Sequence, residues 1–286
     1  MIKSIVIAEK QRGLLVRDGR LERVLGPGRH YFWAFSRAKV FIEDALGLCS
    51  SDLVDGIEMR HPALAEAHFE IVTPAIGEVA IVRLDGRARY IVKGGAKAYF
   101  WKVLETVSVE TIDTEDAPKL TKRQLAELEG TTAVPRAMAT PIATVPVEQG
   151  RQALVFFDGE LIESVGPGRH AYWQVGRKVT AKTVDTRAVP LEVTAQEILT
   201  KDKVSVRLTL TSFVQVTDAQ VAATAVPDYE AHVYKLVQFA VREAVGGRTL
   251  DELLKDRAAV DKQIASHVRK ELGDIGVAVL VVATGV

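Results

Sequence analysis

The sequence predicts a mixed α/β fold of the α+β kind, with β-hairpins dominating the first half and helices closing the second. Three observations lead there. A hairpin unit ending in tryptophan recurs three times, a long stretch alternates apolar with polar residues from Lys203, and the residues after Asp218 carry helical periodicity with caps.

The recurring unit uses all three tryptophans of the chain. Asp18-Gly19 leads through Gly26-Pro27-Gly28 and His30 to Trp33, Asp85-Gly86 leads through Gly94-Gly95 to Trp101, and Asp158-Gly159 leads through Gly166-Pro167-Gly168 and His170 to Trp173. Asp-Gly between strand-favouring runs is a hairpin signal, because the tight two-residue turn needs positive φ at both central positions. Gly-Pro-Gly then ends the second strand, since Pro cannot donate to a ladder. A third strand follows each Trp: Asp113 and Asp185 lie twelve residues after Trp101 and Trp173, and Asp44 lies eleven after Trp33. The recurrence of Trp33, Trp101 and Trp173 implies a packing role, as an indole anchors a small sheet. Short helices are expected over Pro62 to His68 and Pro118 to Glu129. Thr131 to Val147, with Pro135, Pro141 and Pro146, reads as an extended linker. A repeat of this kind points to a surface or an assembly before it points to a reactive centre.

Beyond it, Val204, Val206, Leu208, Leu210, Val214 and Val216 alternate with polar residues, predicting a long strand interrupted at Ser212-Phe213. Val193 to Leu199 is its expected hairpin partner. Asp218 is placed to cap a short helix. Pro227-Asp228 opens another, whose Val233, Leu236, Val237, Ala240, Val241 and Ala244 share one face, with Gly246-Gly247 at its end. Thr249 and Glu252 form a capping box, and the following helix presents Leu253, Val260, Ile264, Val268 and Leu272 before a final strand from Val277.

Bulk composition narrows the function. Lys and Arg number 37, as do Asp and Glu, so the basic excess of a duplex-binding protein is missing and nucleic acid is not an expected partner. Cys49 is alone, which excludes an intrachain disulfide and fits a reducing compartment. The longest apolar run, Val277 to Ala283, is far short of the ~20 residues that span a bilayer. His30 and His170 recur in register without companion ligands, His61 and His68 are poorly spaced for a metal, and Gly26-Pro27-Gly28 lacks the remainder of any phosphate-loop motif. No nucleophile elbow is present. The expectation is therefore a protein without catalytic, cofactor or metal residues.

Glu197-Ile198-Leu199-Thr200-Lys201-Asp202-Lys203-Val204, Val226-Pro227-Asp228-Tyr229 and Val245-Gly246-Gly247-Arg248-Thr249-Leu250-Asp251-Glu252-Leu253-Leu254, followed by Asp256-Arg257, resemble in order and spacing the SPFH or band 7 domain of stomatins, slipins, prohibitins and flotillins, most of all a slipin-type member. The third hairpin resembles the start of that domain, so the likeness covers about Pro146 to Val286. The expected organisation is a β-rich unit over 1–72, a second with a short helix over 73–130, a linker over 131–146 and the SPFH domain over 147–286. The first two copies resemble partial versions of the domain's entrance. Two family features have no match here: an apolar anchoring segment ahead of the first hairpin and a coiled coil after the last strand. The turn after Asp202 often carries Gly in the family, where Lys203 stands here.

The resemblance implies a non-enzymatic scaffold that forms homo-oligomeric rings or cages, peripheral to the cytoplasmic side of a membrane or cytoplasmic, with membrane lipid or a membrane protease as further partners. Arg248, Asp251, Glu252, Lys255, Asp256 and Arg257 are the expected subunit-facing residues. The competing expectation is a soluble, vault-like shell or adaptor in which the β units stack ahead of the SPFH-like part.

Overall fold

Asp18 and Gly19, Asp85 and Gly86, and Asp158 and Gly159 all have positive φ, between 49° and 93°, in a computed structural model that describes residues 2–33, 37–134 and 141–285. These are the expected turns, and their left-handed backbone matches the twist of the strands they join. Each hairpin also shifts register at the same offset, between Leu15 and Val16, Val82 and Arg83, and Val155 and Phe156.

In the first copy the strands are β1 (Ile2–Ile7), β2 (Gln11–Arg17), β3 (Arg20–Leu25), β4 (Gly28–Trp33) and β5 (Ala38–Asp44). β1 and β4 form a two-stranded ribbon, and the hairpin gains β5 in the order β3-β2-β5. Short helices α1 (Ile57–Arg60) and α2 (Pro62–His68) lead into the second copy, which comprises β6 (Phe69–Val72), β7 (Glu78–Leu84), β8 (Arg87–Lys93), β9 (Ala98–Trp101) and β10 (Val107–Asp113). Its ribbon is β6-β9 and its sheet β10-β7-β8, widened by β11 (Thr132–Val134) running parallel to β8. The third copy, β12 (Ile142–Val147), β13 (Arg151–Phe157), β14 (Glu160–Val165), β15 (Gly168–Trp173) and β16 (Val179–Asp185), again has a ribbon, β12-β15, and a sheet, β14-β13-β16. One pairing scheme thus occurs three times.

A shared closure ends the third strand of copies two and three. The carboxylates of Asp113 and Asp185 accept from the amides of Glu115 and Arg187. The next residues, Thr114 and Thr186, each donate both amide and hydroxyl to the carbonyl of Gly77 or Gly150, just ahead of the hairpin.

By its contacts the chain divides into two compact units, residues 1–144 with 171–178, and residues 145–170 with 179–286. The division crosses β12 and β15, whereas the sequence suggested a linker over 131–146. The apolar residues of Thr132–Val134 and Ile142–Val147 join ladders instead; residues 135–140 lie outside the described residues.

In the first unit each sheet has two covered faces. Leu15 lies under its own ribbon with Ile7, Leu25 and Phe32. Leu14, Val16 and Leu21, on the other face, meet Phe69, Tyr99 and Trp101 from the second ribbon. The arrangement repeats where Val79, Ile81 and Ile91 of the second copy meet Ala171 and Trp173 of the third ribbon, with Leu125 and Leu128. Those leucines belong to α3 (Lys122–Leu128), which starts at a Thr121–Gln124 capping box and not at Pro118. Pro118 to Leu120 is held by backbone bonds with Ala171 and Trp173. Trp101 and Trp173 are 0% and 1% exposed, as a packing role requires, but Trp33 is 69% exposed and does not share it.

The second unit adds β17 (Val189–Leu199), β18 (Ser205–Val216), α4 (Ala219–Ala225), α5 (Tyr229–Gly246), α6 (Leu250–Lys255), α7 (Arg257–Gly273) and β19 (Val277–Gly285). The sheet order is β17-β18-β19, and α7 packs on α5 and β19. β18 is not interrupted: its inside–outside alternation runs unbroken from Ser205 to Val216. What changes is the chemistry, with Ser212 buried and Phe213 outward. Val233, Val237, Ala240, Val241, Ala244, Leu253, Val260, Ile264, Val268 and Leu272 all join the core, with Leu236 at its margin. The last helix is two helices, because Asp256 leaves helical geometry (φ −139°) and accepts from the Ala259 amide as a new N-cap. Gly247 after α5 stays right-handed, at φ −83°, not in the left-handed conformation typical of such ends.

Candidate subunit-facing surface

The stretches that carried the family resemblance meet in space. The Lys201 amide donates to the Arg248 carbonyl at 2.8 Å, and the Asp202 carboxylate accepts from the Leu250 amide at 3.3 Å, at the start of α6. An acidic group there complements the unpaired amides and positive end of the helix. Thr200 donates its hydroxyl to Asp202 at 2.5 Å, and this bond holds the Asp202 carboxyl below its usual range. Lys203 closes the turn at φ 65°, the left-handed conformation that glycine adopts most easily.

The six expected subunit-facing residues follow directly. The Thr249 amide donates to Glu252 at 2.9 Å, and the Glu252 amide donates to the Thr249 hydroxyl at 3.4 Å. That bonding lowers the Glu252 pKa, the Thr249 amide first among its causes. Asp256 caps α7, and Arg248 donates from Nη1 to the Ala244 carbonyl at 2.9 Å. Three of the six side chains therefore hold helix ends. Asp251, Lys255 and Arg257 are exposed, beside exposed Leu254 and buried Leu253. All six lie in one continuous segment around α6, mixed in charge and with one exposed leucine.

The other singled-out residues serve turns and cores. His30 and His170 each donate Nε2–H to the carbonyl of Gly26 or Gly166 at 2.9 Å, bracing the same turn in copies one and three. Cys49 is buried and burial pushes its thiol up to about 11, so it has little thiolate at neutral pH. His68 is half-buried: its Nδ1 is buried without a partner among the described residues, and burial lowers its pKa. One polar cluster escaped the sequence. Lys97 lies 2.6 Å from Glu58, whose second oxygen accepts from the Tyr99 hydroxyl at 3.2 Å, while that hydroxyl accepts from the Gly56 amide at 2.8 Å. Its members are some forty residues apart, and only the second ribbon's seating on α1 brings them together. Among the described residues no group of three or more His, Cys, Asp or Glu is placed to hold a metal.

The SPFH domain / Band 7 family model matches residues 145–284, the stretch in which these caps and turns were found. The chain belongs to the SPFH/band 7 family. A stomatin homologue of Pyrococcus horikoshii is 30% identical over 136 residues, covering 48% of this chain and 50% of that protein. Mechanosensory protein 2 of Caenorhabditis elegans is 30% identical over 133 residues, 46% of this chain and 28% of its own length. Mouse stomatin is 24% identical over 128 residues, 45% and 44% of the two chains. The matched stretch thus spans about half or less of each of these relatives. In this SPFH protein no helix among the described residues is long and apolar enough to cross a membrane.

Proposed function

We propose that this SPFH protein is a non-enzymatic scaffold subunit that assembles with copies of itself into a ring or cage and organises a membrane face or a membrane protein such as a protease. The observation that carries the reading is the α6 segment. Its helix ends are fixed by Glu252 and Asp256, its Leu253 is anchored in the core, and Asp251, Leu254, Lys255 and Arg257 are left on the outside. Rigid presentation of alternating charge around one apolar side chain suits a contact with a neighbouring subunit of complementary charge. Mass photometry of the purified chain tests this. Discrete multimers that Asp251→Lys with Lys255→Glu disperses are expected; a strict monomer at micromolar concentration overturns it.

The soluble shell is the second reading, and the stacked packing of successive copies favours it. Units that each cover the sheet of the one before are built to lengthen a wall. Flotation with liposomes separates the two readings, because a shell without a membrane role stays at the bottom of the gradient.

A further inference from the structure

The ribbon face that buries Trp101 and Trp173 is open in the first copy. Across β1 and β4, Ile2 pairs with Trp33, Ser4 with Tyr31 and Val6 with Arg29, and directly paired residues share a face of the ribbon. On that face Ile2 is 61% exposed, Val6 59%, Tyr31 65% and Trp33 69%. The opposite face is the one that packs, through Ile7 and Phe32, on Leu15 and Leu25. Four large apolar side chains therefore stand together in solvent where the later copies have a covered core. An apolar cluster of this kind marks a contact surface.

A second copy of the chain does not supply the missing cover. The seats taken by the second and third ribbons are the sheets of copies one and two, and the third copy's sheet is in contact with α4. Two first ribbons placed face to face would oppose like charges, since Arg29 is on that face and neither strand carries a carboxylate. Residues 2–33 hold seven Lys and Arg against three Asp and Glu, in a chain that is neutral overall. Trp and Tyr beside branched aliphatics, flanked by cations, are the composition that settles at the headgroup level of a bilayer with anionic lipid.

We propose that the exposed face of the β1–β4 ribbon docks on an anionic lipid surface, with Trp33, Tyr31, Ile2 and Val6 entering the headgroup boundary and Arg29 meeting lipid phosphates and carboxylates. This names the surface on which the membrane reading above depends. The site is a shallow interfacial contact, so binding falls with salt and with loss of either the aromatic residues or Arg29.

Trp101 and Trp173 are enclosed, so Trp33 is the indole that bromine in lipid chains reaches. The full chain is mixed with phosphatidylcholine vesicles, with and without phosphatidylserine, carrying brominated acyl chains. Quenching of tryptophan emission with phosphatidylserine present, absent in Trp33→Phe, is expected, together with roughly tenfold weaker flotation for Tyr31→Ala with Trp33→Ala and for Arg29→Glu. No quenching, or quenching that persists in Trp33→Phe, overturns the proposal. Mass photometry without lipid keeps it apart from the scaffold reading. If Tyr31→Ala with Trp33→Ala disperses the multimers, the face is a contact between copies and the lipid proposal is wrong while the scaffold stands. If no multimers form but Trp33 is quenched, the scaffold reading fails and this one holds.

Discussion

Trp101 and Phe69 face each other across the second ribbon with ring centroids 4.3 Å apart, both enclosed, in a pairing whose first-copy counterpart, Trp33 opposite Ile2, lies open to solvent. One sequence motif therefore gives two energetic situations. Trp101→Ala removes a large indole from a core shared by two copies and is expected to cost about 3–5 kcal/mol. Trp33→Ala is expected to change stability by less than about 0.5 kcal/mol. Urea unfolding followed by far-UV circular dichroism measures both. Equal losses would mean that the copies do not pack as described.

Lys203 shows how a departure from the family's pattern acts. Its left-handed backbone, φ 65°, crowds the Cβ of any L-residue, and its amide is fixed to the Thr200 carbonyl at 2.9 Å, so the turn cannot relax away from it. Lys203→Gly is expected to raise stability by about 1 kcal/mol, reduced by the greater freedom of Gly in the unfolded chain. The shift in urea midpoint checks the sign, and a loss on substitution would show that the Lys203 side chain has a stabilising contact.

Ser212 keeps the alternation of β18 while violating its chemistry. Its hydroxyl is 0% exposed and its Oγ has no partner among the described residues, which carries the desolvation cost of a polar group without a compensating bond. Ser212→Ala is expected to stabilise the chain by about 1 kcal/mol. A comparable loss in thermal or urea unfolding would show that the hydroxyl is bonded after all.

Local rules explain what was legible in the sequence. The Asp-Gly turns, the caps at Asp218, Asp228 and Thr249, and the core stripe of α5 and α7 each depend on residues within a few positions of one another. The cap at Asp256 was missed, because the residue lies inside a run that reads as continuously helical. The fate of Trp33 was not, because it depends on which surface lies beside the ribbon and not on the ribbon's own sequence. The strands in 131–146 escaped for the same reason: Thr132–Val134 is extended by pairing with β8, and a Pro-rich composition alone gives no sign of a partner strand. In the candidate surface, sequence placed the six residues on one segment and read Glu252 as a cap, while the roles of Arg248 and Asp256 at helix ends needed coordinates.

Acid should destabilise the chain, and the sign follows from which protonation state folding favours. Hydrogen bonds from Arg187, Thr200, Thr249 and Lys97 hold Asp185, Asp202, Glu252 and Glu58 below their ordinary values, Asp185 well below the usual carboxylate range. A carboxyl depressed in the folded state stabilises fully above its unfolded pKa, near 4, and loses that contribution as pH falls through the folded value. His68, lowered by burial, acts in the same direction from about pH 6.5, since protonating it in the folded state means charging a buried ring. Glu43 opposes them, because burial and Asp44 raise its pKa and protonation relieves it. With five groups against one, urea midpoints should fall from pH 7 to pH 3, shallowly at first and steeply below 4. Arg187→Ala removes the hydrogen bond that does most to lower Asp185 and should lower the midpoint at pH 7 while flattening the drop below pH 4. A midpoint that drops in parallel with the unmodified chain would mean that the Asp185–Arg187 pair is too well solvated to matter, as many exposed ion pairs are.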